Sequence, residues 1–351
     1  MPESLLQSPR TGLCRSWTRT ASRPPHVGRH KVHSVFLPHG VTALTTAPDL
    51  PRFTLSKVFT AWSLDPFLTV MTVWVAGLYI CGVLVLRSRG DHWPLGRTFS
   101  FVILGMGSFF VATSSGISTY DTTLLSVHMV QHMILSMFVP LALALGAPVT
   151  LALRTLPGTS SKGPRHWLLA VLHSKVVAVL SFPPLTLALY VISPWALYFS
   201  GWYDASLRSA YVHEMMHVHL VLVGALFFWP IMGIDPVPGR VAWPFRLLLV
   251  FLTLPFHAFL GVTIMAQDSI IGGAHYAALR EGPMASWLPT MAADQKLGGG
   301  ILWGAGDVVA LVFFAVLFTQ WVRDSMKEAA REDRRLDMLE RRAAVESQQP
   351  E

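Results

Sequence analysis

The sequence predicts an all-α polytopic membrane protein, a seven-transmembrane helix bundle, on three observations. Of its 351 residues, 52% are hydrophobic and only 13% carry charge, about half the charged share of an ordinary soluble domain. Mean hydropathy is +0.47, and uncharged stretches recur at about 20 residues, the length that crosses a hydrocarbon core as a helix. The two cysteines, Cys14 and Cys81, exclude a disulfide framework, a CxxC redox motif and a cysteine metal cage.

Seven apolar segments are expected as spans: 67–86, 98–117, 122–145, 175–197, 207–232, 244–267 and 303–322. The fourth is interrupted by Pro183-Pro184, which packing against neighbouring helices tolerates. No internal repeat divides the chain into two related halves. Gly298, Gly299 and Gly300 precede the seventh span and suggest a close turn or a flexible loop end there.

Basic residues set the expected orientation. The loops after spans one, three and five, with the tail after span seven, carry 16 Lys and Arg. The opposite loops carry only Arg208, Arg280 and Lys296. The carboxyl tail is therefore expected inside and the amino terminus outside, an N-out/C-in protein. Residues 1–57 disagree: eight Lys and Arg face Glu3 and Asp49 in a segment without the apolar core of a signal peptide. They read as a basic, disordered tail, residues 58–322 as the membrane domain, and residues 323–351 as a charged cytoplasmic helix. The formal net charge of +7 is thereby a matter of topology and gives no footprint for nucleic acid.

The histidines are distributed unevenly. His128 and His132 fall in span three, His213, His217 and His219 in span five, His257 in span six, and His275 in the loop that follows. At 1.5 Å per residue, His128 and His213 lie about 9 Å below the outer ends of their spans. His132, His217 and His257 lie about 15 Å below. His128/His132 and His213/His217 are i, i+4 pairs, so each helix projects two imidazoles from one face; His219 points elsewhere. A single intramembrane histidine is readily explained by an interhelical hydrogen bond. Five at matching depths point to a metal or cofactor site, and imidazole suits copper, zinc or iron. Methionines near these positions (Met129, Met133, Met215, Met216, Met265, Met284 and Met291) would favour Cu(I), although methionine also fills ordinary apolar gaps. Asp121, Asp268, Asp294 and Asp307 stand at the same mouth, where a carboxylate can orient a ligand imidazole.

Two rivals remain open. His213-Glu214-Met215-Met216-His217 matches HExxH, in which two histidines hold zinc and the glutamate activates its water. A protease of this kind also needs a third ligand and leaves the pair on span three without a role. Paired histidines on facing helices also hold b-type haem, although stacked haems are normally ligated at different depths.

Several separated blocks carry a resemblance. They are His128-Met129-Val130-Gln131-His132-Met133, the run from Leu145 to Arg154, the block from His213 to Pro236, Phe256 to Gly261, and Asp294 to Asp307. In this order they resemble the CtaG-type cytochrome c oxidase assembly factors over roughly residues 60–322. The resemblance implies a multi-pass plasma-membrane protein that matures a haem–copper oxidase by supplying copper. Some relatives carry a fused copper-resistance-type membrane domain, for which this chain is too short, and that leaves the copper source open.

The expected working site therefore holds copper between His128, His132, His213 and His217, with His257 as a further ligand. His275, Met284 and Met291 make first contact at the outer loop, and Asp307 and Asp268 orient the ligands. Copper then passes sideways within the bilayer to an oxidase subunit, and the protein turns over no substrate.

Overall fold

The computed structural model describes residues 50–158, 163–236 and 241–346. Among these, regular structure is helical throughout. Six helices are long and apolar enough to cross a membrane: α2 (Pro66–Ser88), α3 (Leu95–Tyr120), α4 (Leu125–Thr155), α9 (Ala210–Met232), α10 (Trp243–Ala266) and α12, whose apolar helix begins at Met291. A bent pair, α7 (Pro183–Phe199) and α8 (Trp202–Arg208), meets at 62° and makes a seventh crossing if counted as one span. Shorter helices are α1 (Leu55–Thr60), α5 (Pro164–Leu172), α6 (Lys175–Leu180) and α11 (Gly273–Arg280).

The fourth expected span, 175–197, is corrected. The chain breaks at Ser181 and Phe182, and Pro183 and Pro184 begin α7. In a first turn a proline's missing N–H is no loss, so these prolines start a helix where the sequence reading had them interrupting one. The seventh span is corrected as well. Helix α12 is continuous over Met291–Glu346, so Gly298, Gly299 and Gly300 lie within it and form neither turn nor loop end. Their use is close packing: a Cβ on Gly299 would lie 2.7 Å from the Gly261 carbonyl oxygen of α10, and one on Gly261 would lie 2.6 Å from that of Gly299. Small residues that let two backbones touch are the ordinary contact of membrane helices.

The crossing of α4 and α9 is built the same way, because a Cβ on Gly224 would collide with the Ser136 carbonyl oxygen. Ser136 lies one turn beyond His132, and Gly224 two turns beyond His217, so this contact holds the two histidine-bearing helices together. Helix α4 starts without a capping side chain of its own at Leu124. Asp294 of α12 replaces it: its carboxylate accepts from the Leu125 N–H at 2.7 Å, the Ser126 N–H at 3.3 Å and the Ser126 hydroxyl at 2.6 Å.

Residues 1–49 of the expected tail lie outside the described residues. From residue 50 the chain is packed: Tyr120 donates to the Pro51 carbonyl at 2.7 Å and Trp287 Nε1 to that of Leu50 at 3.1 Å. The packed region therefore begins before the expected boundary at 58. At the other end, the charged segment continues α12 as an exposed helix. Its ion pairs are local and exposed, Lys327–Asp324 at 3.4 Å and Arg335–Glu332 at 3.5 Å; such pairs contribute little to stability.

Candidate metal centre

The site forms where α3 ends, α4 and α9 begin, and the α7–α8 bend closes over them. Helices α4 and α9 start at Leu125 and Ala210, each three residues later than the sequence suggests. His128 and His213 consequently sit about 5 Å below their helix starts, one turn nearer the surface. That brings His213 within reach of the short connection after Tyr120, and Asp121 meets it there.

Asp121 is buried and places Oδ2 2.8 Å from His213 Nε2 and 3.7 Å from His217 Nε2. Among the described residues, Asp121, His213 and His217 are the group whose donor atoms lie close enough to share a metal ion, all within 4.8 Å of one another. Burial alone would raise the Asp121 pKa, but the adjacent imidazoles of His213 and His217 outweigh it and hold the carboxyl below its ordinary range. Behind the second ligand, Glu214 Oε2 lies 3.5 Å from His217 Nδ1 without a hydrogen bond, close enough for a small ring rotation to make one, as carboxylates that orient a metal-bound imidazole do.

His128 faces the same cluster from α4. Its ring is 6.3 Å from that of His213 and 4.8 Å from that of Tyr203, centroid to centroid. It is fully buried, and neither ring nitrogen has a hydrogen-bond partner; nor do Nδ1 of His213 and both nitrogens of His217. A buried polar atom without a partner costs about 1–3 kcal/mol. Three imidazoles carrying such atoms around one carboxylate are a donor set suited to a metal ion.

The expected convergence of five histidines is corrected. His132 turns to the Tyr198 hydroxyl, with which Nδ1 is hydrogen-bonded and against which its ring stacks. His257 gives Nδ1 to the Thr253 carbonyl at 3.0 Å and packs against Tyr190, a turn deeper than the cluster. The Met133 sulfur lies at that deeper level too, since it and the His257 ring both border Gly306. His219 meets Ser193 Oγ at 2.6 Å.

Of the expected entry residues, His275 donates from Nε2 to the Thr122 carbonyl at 2.8 Å, holding the connection next to Asp121. Met284 is buried in the apolar core and Met291 packs against it. Asp268 is exposed, and Asp307 lies within α12 with Oδ1 buried and unpartnered; neither contacts the donor group. The carboxylate at the cluster is Asp121. The sequence signal for it was its position at the outer mouth, shared with three other aspartates. Tyr198 and Tyr203 gave no sequence signal, because the α7–α8 bend brings them to the site.

A family model described as cytochrome c oxidase caa3 assembly factor matches residues 77–324, which include every donor named above. Uncharacterized proteins of Mycobacterium bovis and Mycobacterium tuberculosis are each 37% identical over 348 residues, covering 91% of this chain and 52% of theirs. An uncharacterized protein of Mycobacterium leprae is 37% identical over 313 residues, 86% of this chain and 46% of its own. The chain thus spans about half the length of these relatives. No solved structure matches it.

Proposed function

Since the chain belongs to the cytochrome c oxidase caa3 assembly factor family, we propose that it binds copper inside its helix bundle and delivers it to a haem–copper oxidase. The observation that carries this reading is the buried group of Asp121, His213 and His217, faced by the doubly unpartnered imidazole of His128. His213 and His217 supply nitrogen donors, Asp121 an oxygen donor, and His128 completes the set from the facing helix. Glu214 and Tyr203 position the rings. This set revises the expected one: His132, tied to Tyr198, and His257, a turn deeper, shape the surroundings of the ion. Nitrogen and carboxylate donors suit borderline ions such as copper and zinc, and the chemistry of a haem–copper oxidase selects copper between them.

The protein sits in the plasma membrane, as its family likeness suggests, with its amino terminus outside and its carboxyl tail inside. The orientation rests on 16 basic residues in the loops and tail of one side against three in the loops of the other, the basic residues 1–57 standing apart from that count. The cluster then opens toward the external face. Ligands already inside the bilayer spare the protein from drawing a hydrated ion through hydrocarbon, and they leave a lateral path to an oxidase subunit. It acts as a carrier and turns over no substrate.

The test is elemental analysis and a visible spectrum of the purified protein, alongside oxidase maturation in cells carrying His213→Ala or His217→Ala. Both variants are expected to reach the membrane at normal level, with copper and mature oxidase reduced. Normal maturation in both overturns the ligand set, and a Soret band in the purified protein replaces copper with haem. A second reading is favoured by one observation: Asp121 supplies the third ligand that an HExxH zinc peptidase requires. Against it, Glu214 stands on the Nδ1 side of His217, away from the Nε2 side where a metal-bound water would be activated. A peptidase loses all function in Glu214→Gln with its metal retained; a carrier keeps most of it.

A further inference from the structure

We propose that the crevice between α2 and α4, at the end of the bundle away from the Asp121 cluster, binds an anionic phospholipid, with an acyl chain in the crevice and the phosphate against Arg97 and Arg154. The crevice has a volume of about 350 Å³, and its walls include Val75, Leu78, Phe101, Leu151 and the bare backbone of Gly82. That volume is within the range of clefts that hold small molecules, and the apolar walls match a hydrocarbon chain.

The polar end is built from arginine. Arg89 closes α2, Arg97 lies in the first turn of α3 and Arg154 in the last turn of α4, where Arg154 meets the Asp91 carboxylate at 3.6 Å. Arg89 donates to the Arg154 and Thr155 carbonyls at 3.3 and 2.8 Å, fastening the end of α4 to the end of α2. The Arg97 and Arg154 guanidinium groups lie 5.1 and 5.8 Å from the ring of one buried indole, Trp93. Trp93 Nε1 in turn donates to the Tyr79 hydroxyl at 3.2 Å, and Tyr79 lines the crevice. One chain of contacts thus connects the apolar wall to two cations, and among the described residues Arg97 forms no ion pair.

A basic pocket between membrane helices that opens beside an acyl-sized crevice is the arrangement that recognises anionic lipid headgroups. Charge complementarity favours a phosphate-bearing lipid over an apolar helix of another protein, since a helix would leave the arginines unmatched. Arg97 and Arg154 select the headgroup, and Gly82 leaves room for the chain. A side chain at residue 82 would begin 3.3 Å from Leu151 and grow into the crevice.

The test uses the full-length protein reconstituted in vesicles of equal phosphatidylglycerol and phosphatidylethanolamine, extracted gently, with retained lipid counted by native mass spectrometry. The wild type is expected to keep phosphatidylglycerol over phosphatidylethanolamine by about tenfold or more, given two basic contacts. Arg97→Gln with Arg154→Gln brings that ratio near one, and Arg97→Lys with Arg154→Lys restores part of it. Gly82→Leu loses retained lipid of both classes at unchanged helical content. Equal retention of the two lipids by the wild type, no retained lipid, a polypeptide retained in its place, or an unchanged ratio in the double glutamine variant overturns the proposal.

Discussion

Asp121 Oδ2 lies 2.8 Å from His213 Nε2, joining the connection between the second and third membrane helices to the first turn of α9. The carboxylate is buried and kept ionised by the imidazoles it faces. On the proposed function it is both a charge partner and a donor. Asp121→Asn preserves its shape and removes its charge, and is expected to weaken copper binding by about 10–100-fold. Titration against a competing chelator measures this, with circular dichroism confirming unchanged helix. An unchanged affinity would remove Asp121 from the donor set.

Asp294 supports the site from a distance. Its carboxylate supplies the cap that Leu124 lacks and fixes the first turn of α4 one turn above His128. Asp294→Ala leaves two N–H groups and a hydroxyl without their acceptor, and is expected to cost about 1–3 kcal/mol. A lowered thermal midpoint in detergent checks this, and Asp294→Asn should recover part of the loss. If alanine and wild type melt together, the cap does not hold the helix.

The helical class and the helix pairs that bear histidines were legible in the sequence because hydrophobicity and the i, i+4 spacing are local properties. What was not legible depends on where helices begin and how they touch. A three-residue error at the start of α9 hid the meeting of His213 with Asp121. The reading of Gly298 to Gly300 as a turn failed because the residues facing them, Gly261 and Met265 among them, belong to another helix. His132 and His257 satisfied the depth arithmetic, but depth leaves the rotation of a helix undetermined. Rotation turns His132 to Tyr198, and the later starts of α4 and α9 lift the cluster above His257, which stands beside Tyr190.

Gly224 tests the crossing that holds the donors together. A methyl group there meets the Ser136 carbonyl and lies 2.7 Å from Pro140 Cγ, so Gly224→Ala must push α9 from α4. Overpacking of this kind costs about 1–3 kcal/mol. The displacement is also expected to lower copper affinity with all four donors intact, because His128 moves away from His213. Thermal unfolding and chelator competition read the two effects. A variant that melts earlier but binds copper as the wild type does would show that the cluster needs only Asp121, His213 and His217.

His128 allows a prediction whose sign separates a metal site from ordinary packing. Both of its ring nitrogens are buried without partners, so the metal-free protein carries a cost that a metal ion would relieve. Phenylalanine has nearly the same shape and no polar atoms, and replacing an unsatisfied polar group with an apolar one of like shape is neutral or stabilising. His128→Phe is therefore expected to raise the thermal midpoint of the copper-free protein, or leave it unchanged. The same variant should lose most of the stabilisation that copper gives the wild type. Were His128 a structural residue with partners of its own, the substitution would lower both midpoints alike, and that result would exclude it from the site.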